Sequence, residues 1–77
     1  MSDPTGMVFE DGAERYDLAA AELDLAARHL RTAAGHFRAR EQARGCAHAW
    51  AARGHELRAT GLLDDLAQLH ASKAVPG

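Results

Sequence analysis

Between Asp11 and Arg44, apolar residues recur at alternating intervals of three and four, through Tyr16, Ala20, Leu23, Ala27, Leu30, Ala34 and Phe37. Such intervals keep side chains on one side of a helix with 3.6 residues per turn, so they predict one long amphipathic helix. Asp11 followed three residues later by Glu14 has the spacing of a capping box, in which the two side chains satisfy free backbone amides, and it sets the expected helix start at Asp11. Gly45 sets the expected end near Arg44, because glycine readily takes the left-handed conformation that closes helices. A second series, His48, Ala52, His55, Ala59, Leu62, Leu66 and Leu69, predicts a second helix running to about Ser72. Gly61, with Thr60 before it as an N-cap, leaves open a break of that helix into two shorter ones. Residues 1–10 carry Pro4 and Gly6 and no periodicity, and read as a flexible arm ahead of a helical hairpin domain spanning 11–77.

Two helices of similar length joined by a short turn lie antiparallel. The expected fold is therefore all-α, an antiparallel hairpin. Its apolar arcs are broader than one neighbour covers: Leu18 and Leu25 sit well round from the first stripe, and Trp50, Leu57 and Leu63 lie beside the second. Two hairpins forming a four-helix bundle would cover them, with Tyr16, Leu23, Leu30, Phe37, Trp50, Leu57, Leu62, Leu66 and Leu69 as the interface.

Composition strengthens this picture. Eighteen of the 77 residues are Ala, the best helix former, and β-branched residues are scarce. A chain this short sits near the lower limit for a self-sufficient core and usually gains support from a disulfide, a metal or association. Cys46 is the single cysteine, which removes an intrachain disulfide and fits a reducing compartment. No apolar run approaches the roughly 20 residues of a membrane span, and the first twelve residues do not read as a secretory signal. The expectation is a cytoplasmic protein with no membrane partner, a homo-oligomer or a subunit of a larger complex.

Charge is divided along the chain. Residues 1–27 hold seven acids and one Arg, giving −6; residues 28–58 hold seven Arg and two Glu, giving +5; residues 59–77 add −1. The turn end of the hairpin is therefore basic and the open end acidic. This division could steer contacts between chains, or let the Arg-rich end meet an anionic partner. With Phe37 and Trp50 the only aromatics there to stack on bases, nucleic-acid binding ranks well below self-association.

Four of the five histidines fall in two copies of one pattern, "HLRTAAGH" at 29–36 and "HAWAARGH" at 48–55. Each pair is seven residues apart, nearly two turns, so each shares one helix face. A hairpin brings all four to the half next to the turn, near Cys46. Imidazole suits zinc, nickel, copper and iron, so His29, His36, His48 and His55, with Cys46, are candidate ligands for a transition metal or haem. Seven-residue spacing seldom chelates one ion, however, and no Glu-x-x-His, His-Glu-x-x-His or paired Cys-x-x-Cys is present. The competing and preferred reading has these histidines hydrogen-bonding across the bundle to carboxylates such as Glu22, Glu41 or Glu56. No nucleophile–base set or glycine-rich phosphate loop points to an enzyme. The leading functional expectation is a small self-associating helical protein that serves as a structural or interaction module. A metal- or haem-binding bundle is the alternative, and anion binding at the Arg-rich end is the third reading.

Overall fold

The structure, a computed structural model, describes residues 4–73, with side chains over residues 10–69, 71 and 72. It consists of two long helices, α1 (Pro4–Arg38) and α2 (Gln42–Lys73), packed against each other. Pairs across the interface run in opposite sequence directions, Arg15 with Asp65, Glu22 with His55 and His29 with His48, as an antiparallel hairpin requires. No strand occurs among the described residues.

Three local expectations are revised. α1 extends back to Pro4, so Asp11 lies within the helix rather than capping it; its carboxylate instead pairs with Arg15 one turn on, at 3.1 Å. Residues 1–3 of the expected arm lie outside the described residues. α2 is continuous through Gly61, where nothing stands within 4 Å of an added Cβ, so the break left open there does not occur. The turn also arrives earlier than Gly45. Arg40 takes the left-handed conformation at φ 65°, the Glu41 amide donates to the His36 carbonyl at 2.8 Å, and the Arg40 amide donates to the Phe37 carbonyl at 3.0 Å. This pair of bonds is a Schellman cap, which satisfies carbonyls that the helix end would leave open. Glu41 then starts α2, its carbonyl accepting from the Gly45 amide at 3.0 Å.

Gly45 serves a different purpose from the stop assigned to it. A Cβ there would fall 2.7 Å from Cδ2 of Phe37 and 3.2 Å from the Ala33 carbonyl oxygen, so glycine lets the two helices approach beside the turn.

The seam between the helices follows the expected stripe on α2 but not on α1. On α2 the less exposed positions include Gly45, His48, Ala52, His55, Ala59, Leu62 and Leu66. On α1 they include Gly12, Arg15, Ala19, Glu22, Ala26, His29, Ala33 and His36, all but Gly12 one residue before a member of the apolar stripe. One residue is about 100° of rotation. Tyr16, Leu23 and Leu30 therefore face outward, 45–59% exposed, while Phe37, 48% exposed, lies at the rim with its ring against Gly45 of α2. Trp50, at 75%, and Leu57, at 53%, also lie outside, and Leu69 at the open end is 41% exposed. Leu62 and Leu66 take their expected inward places. Among the described residues the buried apolar core consists of five alanines: Ala19, Ala26, Ala33, Ala52 and Ala59.

Candidate functional site

Alanine at every seventh position lets the helix axes come close, and the intervening seam positions must then meet face to face. Those positions are Arg15, Glu22, His29 and His36 on α1, and His48, His55 and Leu62 on α2. Seven-residue spacing on antiparallel helices makes them alternate in a zigzag along the seam. The result is a column of four imidazoles in the order His36, His48, His29, His55. Adjacent ring centroids are 5.3, 5.3 and 5.4 Å apart, with His36 stacked on His48 and His29 stacked on His55.

Each end of the column meets a carboxylate. His55 Nδ1 lies 2.5 Å from Glu22 Oε2, and His36 Nδ1 lies 3.3 Å from Glu41 Oε1. Both carboxylates have a further cationic neighbour: Arg58 at 3.9 Å from Glu22, and Arg44 at 3.0 Å from Glu41. Glu41 also stands at the N-terminal end of α2, where the helix dipole favours negative charge. Glu56 takes no part, being paired with Arg53 on its own helix. Two of the four histidines, His55 and His36, thus have a carboxylate partner, Glu22 across the helices and Glu41 around the turn.

The two central rings contact each other instead. His29 Nδ1 and His48 Nδ1 are 3.0 Å apart, a hydrogen bond that requires one ring to donate and the other to offer a lone pair. Beside them opens a recess of about 190 Å³ lined by Leu25, Arg28, His29, Thr32 and His48. The Thr32 hydroxyl donates to the Arg28 carbonyl at 3.1 Å. No buried side-chain nitrogen or oxygen lacks a partner among the described residues.

All four histidines named from the sequence are thus brought together. Cys46 is a half-buried free thiol, in the first turns of α2. Among the described residues no group of three or more His, Cys, Asp and Glu is gathered so as to hold a metal ion. The 3.0 Å separation of the central nitrogens is also shorter than the roughly 4 Å between ligands on opposite sides of one metal, so this pair does not present the axial geometry of haem. No helix is long and apolar enough to cross a membrane among the described residues.

Arg15 as a member of the seam, and Leu25, Arg28 and Thr32 as walls of the recess, were not singled out in the sequence. The signal was available: Arg15, Glu22, His29 and His36 form a seven-residue series of polar residues, in step with Ala19, Ala26 and Ala33. Searches of protein-family models, curated proteins and solved structures found no match to this chain.

Proposed function

We propose that this chain is a self-associating helical module whose hairpin is completed by a second copy of itself. One observation carries the reading. The fully buried apolar side chains of the described hairpin are all alanines, while Tyr16, Leu23, Leu30 and Phe37 form an exposed apolar stripe along α1. That stripe spans 22 residues, about 32 Å of helix. Its three-and-four periodicity is that of a helix with a partner, and α2 is not that partner. With principal extents of 57 × 30 × 13 Å the two helices form a single layer, so among the described residues nothing covers either broad face.

Charge favours a second copy over an unrelated partner. Turning one hairpin end for end against another sets the +5 stretch at the turn against the −6 stretch at the open end, twice over by symmetry. A standard interface of about 800 Å² per copy would occupy roughly an eighth of the 6015 Å² surface, which is within reach of such a stripe. The module acts as a structural or interaction element, with the histidine column inside each hairpin and the leucine stripe between hairpins.

Sedimentation and light scattering across a hundredfold range of concentration test the proposal. The expected result is a dimer that weakens at 1 M salt, and that the double substitution Leu23→Glu and Leu30→Glu converts to monomer with loss of helicity. A monomer of undiminished helicity at every concentration overturns it.

A further inference from the structure

We infer that the recess beside the central histidine pair is a binding site for one small oxyanion of the phosphate class, held by Arg28 and by the free ring nitrogens of His29 and His48. The site belongs to a single hairpin and does not rest on self-association. Its walls Leu25, Arg28 and Thr32 each stand one residue before a seam position, whereas the exposed apolar stripe of α1 stands one residue after. Offsets of about 100° in opposite senses put the recess and the stripe on opposite broad faces.

The chemistry of the walls is one-sided. Arg28 is the charged wall, and no carboxylate lines the recess. Arg15, Arg44, Arg53 and Arg58 each pair with a carboxylate, but Arg28 has no ion-pair partner among the described residues. A free guanidinium offers a planar fork of N–H donors that matches two oxygens of one oxyanion. The histidines add to it through their own hydrogen bond. With the two Nδ1 atoms 3.0 Å apart and engaged with each other, the polar edge that either ring leaves for a ligand is Nε2. The ring that accepts at Nδ1 carries its proton on Nε2, so the pair itself fixes at least one N–H donor there. Thr32 contributes shape rather than a donor, because its one hydroxyl proton goes to the Arg28 carbonyl at 3.1 Å.

Size and surrounding charge select the ligand. At about 190 Å³ the recess is smaller than the roughly 300–1,000 Å³ of sites that take larger organic ligands, and it suits a small ion with some of its water. Glu22 and Glu41 stand at the two ends of the column, each with a further imidazole between it and the central pair. The stretch 28–58 carries a net charge of +5, which raises the local concentration of anions. A phosphate monoester near neutral pH brings roughly 1.5–2 negative charges and three acceptor oxygens, enough to engage Arg28 and an imidazole at once.

The test titrates the full-length chain with inorganic phosphate and, separately, with phenyl phosphate, each against chloride at matched ionic strength, and follows the imidazole nitrogens by NMR. The expected result is a saturable shift at His29 and His48, larger than at His36 and His55, with one anion per chain. A response to phenyl phosphate identifies the end of a phosphate monoester as the ligand; a response to inorganic phosphate alone identifies the free ion. Arg28→Gln should weaken binding at least about tenfold, the loss of a charge-assisted contact, while Arg31→Gln, which removes the same charge outside the recess, changes it less than about twofold. Shifts that do not saturate, that chloride reproduces, or that Arg31→Gln weakens as much as Arg28→Gln overturn the site. Circular dichroism checks that the variants remain helical, and if Arg28→Gln does not, saturation and stoichiometry in the unaltered chain decide.

Discussion

Ala59 is the most enclosed residue of the seam, 1% exposed, and replacing it with Leu gives a prediction whose sign is informative. Leu adds three carbons. If the seam had room for them, their burial would stabilise the hairpin by about 2.4 kcal/mol, at roughly 0.8 kcal/mol per carbon. If the helices are held together as closely as the alanine repeat implies, the extra carbons must push α1 and α2 apart. Overpacking of that kind typically costs about 1–3 kcal/mol. The column is what makes the second outcome the expected one. Separation at Ala59 loosens Glu22–His55, one of the shortest contacts between the helices, and stretches the His29–His48 bond beyond it. Thermal unfolding followed by circular dichroism at a fixed protein concentration measures the effect, since association makes the midpoint concentration-dependent. At about 4–8 °C per kcal/mol for a domain of this size, Ala59→Leu should lower the midpoint by several degrees. An increase in the midpoint would refute the tight alanine seam.

Two further outcomes follow from the geometry. Gly61→Ala should stabilise α2 by about 1 kcal/mol, because the helix is continuous there and an added methyl meets nothing within 4 Å; an unchanged or lower melting temperature would count against continuity. Arg40→Gly should raise stability by about 1 kcal/mol in the same assay, relieving a left-handed conformation that costs a side-chain-bearing residue about 1–2 kcal/mol, less the added freedom of glycine when unfolded.

Much of the architecture was legible in the residues. Alanine abundance and the two periodic series gave an all-helical hairpin, and the α2 series from His48 to Leu66 is the seam the structure shows. The α1 stripe was misplaced by one residue for a physical reason. Ranking positions by hydrophobicity chooses Tyr16, Leu23, Leu30 and Phe37, but two helices in close contact need small residues, and Ala19, Ala26 and Ala33 are smaller. The large side chains remain periodic because they form a second stripe beside the first. The turn was misread for a similar reason: glycine is the usual left-handed residue, yet Arg40 holds that position, and Gly45 is needed for the approach of Phe37 and Ala33. The histidines were located correctly in the turn half. Their ring-to-ring order could be read only once the true α1 seam placed His29 and His36 at its centre rather than its flank.

The alanine repeat has one weakness that the histidine column removes. A ladder of identical small residues every seven positions fits equally well after a slide of one heptad, so alanine alone does not define how the helices align. The column has marked ends. A slide in one direction would leave Glu22 between Leu62 and Leu69, a carboxylate among leucines; a slide in the other would bring Arg15 beside His55, a cation against an imidazole. The observed alignment gives each terminal imidazole a carboxylate and keeps Arg15 away from the column. The polar residues inside the hairpin therefore act as an index mark, selecting one register out of several that the packing of methyl groups would accept.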